Sequence, residues 1–469
     1  MGIRAHSIAI LIVAVGGAFA GASPGFAQGD GSRTDNPDLL RGSLGMGCPA
    51  GTLCDFPPAH LAAAPIALPT QPALAPAPAM NVETATVPAM EPATSTVSTP
   101  PAPAPTPNAR ELEYGISLRG AYVRSVSDER FEMLAIPDVS VSRSTGATDF
   151  SLDASASLIQ PQSSDPRVGS ASVSAGTVHR LSPSAGLAFN TDLALVQDDA
   201  AGLTVDEMDL ATAPVTVAGS VGTTYTQRFG RLNATGTLGF SREWVGASTR
   251  IDGTEIDNSG DSFTRYAGGL RVGYELTPVL EIFGQGDLGR TVFDAADRDL
   301  GVSRTGNDFA LRAGVATNWN DVVTLEASLG SGWRVYEAGS LADAQSWLYG
   351  AAIGYRPTAT TQLRASLETQ LSPGEGEAGA STNYLAGVEL THAANSWLEL
   401  RAAAGMEWLA PKDGTPASRL YTAGAGADLV LGAHTSATLD YEYGLREDPG
   451  AAIADRDEHR VSGGISLRY

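Results

Sequence analysis

The sequence has almost no long apolar runs. Beyond the N-terminus, no segment approaches the roughly 18 to 20 consecutive apolar residues that a membrane-spanning helix requires. Hydrophobic residues still make up 43% of the 469-residue chain, while charged residues make up only 17%. The chain therefore has apolar surface to bury but little sign of a helical core, and any crossing of a membrane must be made by β-strands.

Positive charge is also scarce. Lys and Arg together number 30 against 52 Asp and Glu, the net charge is -22, and Lys412 is the single lysine. A surface of this sign repels nucleic acid, so we expect no nucleic acid partner. The acidic residues concentrate in segments that resemble long loops. We expect divalent cations to bridge them to the phosphates of lipopolysaccharide, and ordinary loop solubility is the alternative.

Residue groupings that carry catalytic or metal chemistry are missing as well. None of the six histidines has a Ser and an acidic residue at a spacing that suggests a catalytic triad. The acidic stretch "DGTEIDNSGD" lacks the ligand spacing of a known calcium loop. No glycine-rich phosphate loop follows a strand and opens a helix. We therefore expect no enzyme activity, no metal site and no cofactor.

The N-terminal segment has the layout of a secretory signal. Arg4 is followed by an apolar run from Ile8 to Val15 and then by small residues. This order is typical of a cleavable signal peptide, and cleavage after Ala20 or after Ala27 fits it. We predict a signal peptide over residues 1–27 and an exported mature protein, with an uncleaved anchor as the alternative.

The next segment, residues 28–108, is rich in Pro, Ala and Thr and has almost no charge. Such sequence buries too little apolar surface to fold and favours extended polyproline II structure, so we predict a disordered or semi-rigid periplasmic arm. Two roles stay open for this arm: crossing space only, or meeting a periplasmic partner. Its two cysteines, Cys48 and Cys54, are the only ones in the chain. An exported compartment permits a small disulfide loop between them, and two free thiols are the alternative.

From residue 109 to residue 469 one pattern repeats: segments in which apolar and polar residues alternate, as in a β-strand with two different faces. The pattern predicts an all-β fold, a transmembrane antiparallel up-and-down β-barrel of about eighteen strands, with sixteen possible. The segments lie at 112–124, 133–142, 148–160, 168–178, 184–196, 213–228, 231–245, 262–276, 278–293, 304–318, 321–336, 342–356, 359–372, 381–394, 396–410, 417–431, 433–447 and 456–469.

The links between these segments alternate in length. Links after even-numbered segments are brief, as in "NWND" and "LGAH", whereas those after odd-numbered segments tend to be longer and acidic, as in "GASTRIDGTEIDNSGD". Short turns on one side and long loops on the other are typical of bacterial outer-membrane barrels, whose turns face the periplasm. All six tryptophans fall near segment ends, which is the position of an aromatic girdle at the membrane interfaces.

The last segment, "HRVSGGISLRY", alternates apolar and polar residues and finishes on an aromatic side chain. In lipid every backbone N–H and C=O group needs a partner within the protein, so the last strand must pair with the first. A C-terminal strand of this form resembles the signal that the barrel-assembly machinery recognises in outer-membrane proteins. The matching residues are Val461, Gly463, Ile465, Leu467 and Tyr469.

The polar face of the segments carries charges of both signs in mid-strand. Eighteen strands enclose a lumen too wide for side chains to fill, so these charges can stay hydrated. We predict that they line a pore; the alternative is a lumen sealed by a mutual network of salt bridges and hydrogen bonds. The predicted pore-lining residues are Arg271, Glu275, Glu326, Arg334, Arg364, Glu368, Glu399, Arg401, Asp440 and Glu442.

The C-terminal part resembles the putative β-barrel porin 2 family of exported barrel proteins. The resemblance rests on "YAGGLRVGYELTPVLEIFGQGDLGRTVFD", "YRPTATTQLRASLETQLS", "LTHAANSWLELRAAAGMEWL" and "LDYEYGLRED" followed by "DEHRVSGGISLRY", and extends more weakly through "FSLDASASLIQ". It implies a porin-like role, the passive passage of small hydrophilic solutes across the outer membrane. A conduit for export of a surface polysaccharide and a sealed structural or adhesive barrel are the alternatives.

Overall fold

The structure is a computed structural model that describes residues 110–125, 129–162, 165–197, 202–203, 210–298, 300–320, 322–373, 380–412, 414, 416–449 and 455–469. The predicted signal peptide, the predicted arm and both cysteines, Cys48 and Cys54, lie outside these ranges. In the described part of the chain, no helix is both long enough and apolar enough to cross a membrane.

Eighteen long strands form one sheet, and we number them β1 to β18 in chain order. They are β1 (Arg110–Ser125), β2 (Glu129–Ser144), β3 (Thr148–Pro161), β4 (Arg167–Ser182), β5 (Ala185–Gln197), β6 (Val215–Phe229), β7 (Leu232–Val245), β8 (Phe263–Thr277), β9 (Leu280–Phe293), β10 (Gly306–Trp319), β11 (Val323–Tyr336), β12 (Ala344–Thr358), β13 (Thr361–Pro373), β14 (Ala380–Asn395), β15 (Leu398–Pro411), β16 (Ser418–Val430), β17 (Thr435–Glu447) and β18 (Asp455–Arg468).

Each strand pairs antiparallel with the next, and β1 pairs with β18, so the sheet closes on itself. The prediction of an eighteen-strand antiparallel barrel is confirmed. Predicted and observed strand ends differ by four residues at most, as at the start of β2 and the end of β4. These strands continue past the predicted segments because their polar ends, such as "HRLS", still form ladder hydrogen bonds with the neighbouring strand.

The two faces of the sheet differ as the alternation predicts. On β8 the side chains of Tyr266, Leu270, Val272 and Tyr274 point outward and are 41–56% exposed, while Arg271 between them faces inward and is only partly exposed. Large exposed apolar side chains recur in this way on β1, β9, β12 and β18. A belt of exposed Leu, Val, Ile and aromatic residues is stable against lipid tails but not against water, so the outer face is a membrane surface.

The links divide the barrel into two rims. Those after even-numbered strands are short, for example residues 183–184, 230–231 and 278–279, whereas residues 198–214, 246–262 and 294–305 form long links at the other rim. We call these the short-turn rim and the long-link rim. The first odd-numbered link, residues 126–128, is also short, because β1 and β2 have 16 residues each and pair almost to their ends.

The long links pack on each other at their rim. Three short strands, Leu210–Thr212, Ser248–Arg250 and Glu255–Ile256, form a separate small sheet that joins the link after β5 to the link after β7. Leu210, Ala213 and Ile256 are buried together beside it. A 3-10 turn, Ser259–Asp261, follows and contacts β7. The described parts of the links after β5 and β7 therefore form a folded layer at the long-link rim.

Five of the six tryptophans are at least 36% exposed and all lie near strand ends, where the sequence placed them. Trp319 is the last residue of β10, and Trp397 directly precedes β15 at the same short-turn rim. Trp244, Trp333, Trp347 and Trp408 lie within three residues of the strand ends at the long-link rim. The two sets form aromatic belts at both edges of the apolar band.

The ends of β1 and β18 meet at the short-turn rim. The Tyr469 backbone N–H donates to the Tyr114 carbonyl and the Tyr114 N–H donates to the Tyr469 carbonyl, both at 2.9 Å. The Tyr469 ring stacks on Tyr114 with ring centroids 6.0 Å apart and on His434 at 4.9 Å. Val461, Ile465 and Leu467 share its outward, exposed face. Their role as an assembly signal stays a prediction.

Replacing Tyr469 by Ala removes both ring contacts while leaving the backbone pair possible. An aromatic pair contributes about 0.5–1.5 kcal/mol beyond its buried area, so we expect the Tyr469→Ala barrel to unfold at a lower temperature than the natural chain. The shift in gel mobility between folded and heat-unfolded barrel measures this temperature. Tyr469→Phe is the matched control and should behave like the natural chain. Equal unfolding temperatures for the Ala and Phe variants would show that the ring does not stabilise the closure.

Candidate functional pore wall

The inner face of the barrel carries the charged side chains of the strands. All ten residues predicted to line a pore occupy inward-facing positions of their strands. The residues directly before and after each of them point outward, and successive side chains of a strand point to opposite faces. Whether they line a conducting path depends on what surrounds them. The inner wall has a large part, β8 to β18 with β1 and β2, which holds most of the arginine–carboxylate pairs, and a smaller arc, β3 to β6, where small polar residues prevail. β7 lies between the two parts.

One group of paired charges is centred on Arg271. Its guanidinium donates to Glu281 at 3.1 Å and to Glu326 at 2.9 Å, and it lies 3.5 Å above the centroid of the Phe283 ring. Glu281 also accepts a hydrogen bond from the amide of Asn233 at 2.8 Å. This arginine is therefore neutralised by two carboxylates and held in one orientation by an aromatic face.

A second group lies nearer the long-link rim, where Asp308 bridges two arginines. Arg265 approaches it at 3.1 Å and Arg334 at 2.6 Å. Arg334 is fully buried and also donates to the backbone carbonyl of Arg304 at 3.1 Å. Arg304, itself fully buried in the link after β9, pairs with Asp261 at 2.7 Å. The chain of pairs ties the inner wall to the folded layer at the rim.

On the opposite side of the lumen, Asp440 bridges Arg119 of β1 at 3.1 Å and Arg401 of β15 at 3.0 Å. Arg401 also pairs with Asp428 at 2.7 Å. Each carboxylate in this group faces a guanidinium at hydrogen-bonding distance, so the charges compensate one another where water is scarce.

Glu132 on β2 forms a similar bridge between Arg130 at 2.9 Å and Arg460 at 3.1 Å, and it is 1% exposed. Five of the ten predicted residues are thus part of local ion-pair networks. Arg271 pairs with Glu326, Arg401 pairs with Asp440, and Arg334 pairs with Asp308. Glu275 pairs with Arg228 at 2.7 Å close to the short-turn rim.

The remaining predicted residues differ in exposure. Glu442 is 6% exposed, and Glu368 and Glu399 are partly exposed. Arg364, by contrast, is exposed on the inward face of β13, and the exposed Glu389 stands directly opposite it on β14. The half of β13 and β14 next to the short-turn rim therefore faces an open, hydrated space.

The arc from β3 to β6 has a different inner surface, which the pattern of mid-strand charges does not indicate. A row of directly opposed residues crosses the strands as Ser140, Asp153, Ser174, Asp192 and Ser220. Asp153 and Asp192 are exposed, and the Ser220 hydroxyl donates to Asp192 at 3.2 Å. The sequence does carry a signal for this surface. In "FSLDASAS" and "FNTDLAL" the alternate residues that face inward are all small or acidic.

Two segments enter the lumen from the long-link rim. One is the link after β5: Arg446 on β17, six strands away around the barrel, donates to the Leu203 carbonyl at 3.0 Å. The Leu203 side chain lies against the inward face of Gly444, where a larger residue would collide with it. Leu203 therefore lies against the inner face of β17, at the level of the rim.

Beside that contact, Asp448 lies just after β17 and is partly buried. Burial alone would raise the pKa of this carboxyl, but the Ser418 hydroxyl and the guanidinium groups of Arg446 and Arg456 hold the pKa below its usual range. Asp448 thus stays ionised and fixes Arg446, which in turn holds Leu203.

The second segment is the upper part of the β13–β14 hairpin, residues 369–373 and 380–383, which we call the inward tip. These residues are buried on both faces, unlike the rest of the two strands. Leu371 and Ala380 pack against Tyr336, an inward-facing residue of β11. The hairpin thus leaves the wall and lies inside it.

Solved barrel structures from Pseudomonas aeruginosa are among those similar to this chain. OccK3 (OpdO) is 12% identical with a TM-score of 0.39, and the match covers 76% of this chain and 96% of that chain. The outer membrane protein OpdK is 13% identical with a TM-score of 0.38, covering 76% and 99%. The siderophore receptor PirA is 10% identical with a TM-score of 0.41, covering 78% and 82%. Likeness at this level carries no inference about substrate.

Among curated proteins, none matches this sequence. The family model described as putative beta-barrel porin 2 matches residues 148–469, which is more than half of the chain and includes sixteen of the eighteen strands. Together with the closed barrel and its apolar outer belt, this match supports an outer-membrane location, and the chain belongs to the putative β-barrel porin 2 family.

Proposed function

We propose that the barrel provides an aqueous path for the passive passage of small hydrophilic solutes across the outer membrane. The observation that carries the proposal is the exposure of polar side chains on the inner face. Ser151, Asp153 and Asp192 on the β3–β5 arc, and Arg364 with Glu389 on β13 and β14, are exposed although they point into the barrel. Side chains in that position can be exposed only to water in the lumen.

The path runs off-centre, along the β3–β6 arc. Inward residues there are small, for example Ser174, Gly176, Ala194 and Gly222, and leave the lumen free. The opposite wall is filled by paired arginines, and the inward tip and Leu203 occupy the space near the long-link rim. The free cross-section is therefore smaller than an empty eighteen-strand barrel offers, which favours small solutes over a polymer.

The charge along this path is negative. Asp153 and Asp192 are exposed on this arc, and serines stand directly opposite both of them on the neighbouring strands. Two exposed carboxylates in a narrow, protein-walled space attract cations and repel anions. We propose a preference for cationic and neutral hydrophilic solutes.

The orientation follows from the rims. β1 begins at the short-turn rim, so we propose that this rim faces the periplasm with the N-terminal arm beside it. The long-link rim then faces outward, where its acidic links would meet lipopolysaccharide through divalent cations. The buried ion-pair network favours the sealed structural barrel as the second candidate, because a network of this kind can also fill a lumen.

Planar-bilayer recording of the purified, folded barrel distinguishes these two candidates. We expect stepwise channel events in simple salt, because the exposed inner arc connects the two rims through water. Heat-denatured protein at the same concentration is the control and should give none. A folded preparation that inserts into the bilayer without any events would contradict the proposed passage and leave the sealed barrel.

Neutralising the two exposed carboxylates tests the path itself. In Asp153→Asn with Asp192→Asn we expect the cation-to-anion permeability ratio to fall about twofold per carboxylate, the size of a water-screened interaction of ~0.4 kcal/mol. Asp252→Asn, an exposed carboxylate in the link after β7, is the matched control. Reversal potentials in asymmetric salt measure the ratio. Equal ratios for the double variant and the control would place the path elsewhere.

A further inference from the structure

The wall of the barrel is interrupted between β12 and β13. The two strands pair from Thr358 opposite Thr361 up to Gly350 opposite Glu368, and there the pairing stops. Beyond that point, residues 344–349 of β12 pair only with β11, and residues 369–373 of β13 pair only with β14. The unpaired edge of β12 carries Trp347, which is 63% exposed, and Tyr349, which is 44% exposed.

The inward tip fills the space behind this edge. The Thr382 hydroxyl lies 2.9 Å from the hydroxyl of Ser346, an inward-facing residue of β12. β13 contacts β11 directly, past the intervening strand. Lys412, at the end of β15, donates to Ser346 at 3.3 Å, and its backbone N–H donates to the Ala380 carbonyl at 2.9 Å. The top of the β13–β14 hairpin thus lies on the lumen side of β11 and β12.

The contact that holds the inward tip is largely polar and incompletely satisfied. Besides Leu371, Pro373 and Ala380, its buried residues are Thr369, Gln370, Ser372, Ser381, Thr382 and Asn383. The Thr369 hydroxyl and the Asn383 amide nitrogen are buried without a hydrogen-bond partner. A buried polar atom without a partner is costly, so this packing is weaker than an apolar one of equal area.

The sequence of the inward tip also fits the wall. Continuing the register from Gly350 opposite Glu368 would set Tyr349 opposite Thr369, Leu348 opposite Gln370 and Trp347 opposite Leu371. The outward positions would then be Thr369 and Leu371, and the inward positions Gln370 and Ser372, which continues the alternation of the lower half of β13. Pairing along this stretch would give the backbone N–H and C=O groups at the edge of β12 hydrogen-bond partners, which lipid cannot provide.

We infer that the inward tip is a two-state element that sets the bore of the barrel. In one state, the one described above, it lies inside β11 and β12 and narrows the lumen. In the other it pairs with the edge of β12, completes the wall and widens the lumen. Two packings of one segment that differ by a modest free energy form a switch. This inference rests on the proposed passage of solutes and adds a means of controlling it.

A disulfide between Ser346→Cys and Thr382→Cys tests the inner state, because the two hydroxyl oxygens already lie 2.9 Å apart. The full chain carries Cys48→Ser and Cys54→Ser so that no other thiols compete. We expect two conductance levels in the reduced protein, loss of the larger level on oxidation, and its return on reduction. Identical conductance before and after oxidation would overturn the inference.

The matched control is a disulfide between Ser117→Cys and Ser466→Cys in the same background. These two residues are directly opposed on β1 and β18, away from the proposed path, with hydroxyl oxygens 2.6 Å apart, and both belong to one continuous stretch of wall. Oxidation of this pair should leave both conductance levels unchanged. Loss of the larger level here too would show that oxidation acts generally, and the effect at the inward tip would then carry no support for a switch.

A second pair detects the wall state directly. Leu371 is buried on the lumen side of the wall, whereas Trp347 points outward from β12. A disulfide between Trp347→Cys and Leu371→Cys can therefore form only when the tip joins the wall. We expect this disulfide to form in liposomes and to fix the larger conductance. If this disulfide does not form while cysteines at positions 346 and 382 crosslink fully, the tip stays permanently inside the wall and the inference is overturned. Absence of channel events in every variant would instead refute the proposed passage.

Discussion

The structure depends on one constraint: in lipid, the backbone hydrogen bonds of a sheet must be completed within the protein. Eighteen strands satisfy it by pairing each with the next and by joining β18 to β1 through the reciprocal bonds of Tyr114 and Tyr469. Once the sheet is closed, the alternation of side chains decides everything else. One face must be apolar along the membrane, and the other can hold any residue that finds water or a partner.

The inner face uses both options, in different places. Around most of the barrel, arginines and carboxylates from neighbouring strands form bridges such as that of Asp308 with Arg265 and Arg334. Such groups give the wall rigidity at the cost of open space. Along β3 to β6 the inward residues are too small to reach across the lumen, and water remains their partner. The molecule is therefore asymmetric about its axis, with a stiff ionic side and a wet side rich in hydroxyl groups.

The strand count, the order of long and short links, and the inward position of all ten predicted charges could be derived from the sequence, because a period of two reports directly on the two faces. The pairing of those charges could not, since Asp308 and Arg334 meet only through the register of β10 and β11. The inward tip was also missed, for a specific reason. Leu367, Thr369 and Leu371 alternate with polar residues in the same way whether this stretch of β13 completes the wall or folds behind it. The segment that includes Leu203 was missed because it carries no periodicity at all.

Single cysteines along β3, in a chain with Cys48→Ser and Cys54→Ser, show whether one face of each strand meets lipid and the other meets water. In reconstituted membranes, a charged thiol reagent should label positions 151 and 153, and a lipid-soluble reagent should label positions 150, 152 and 154. We expect this strict alternation along the strand. Equal labelling of successive positions by the charged reagent would contradict it.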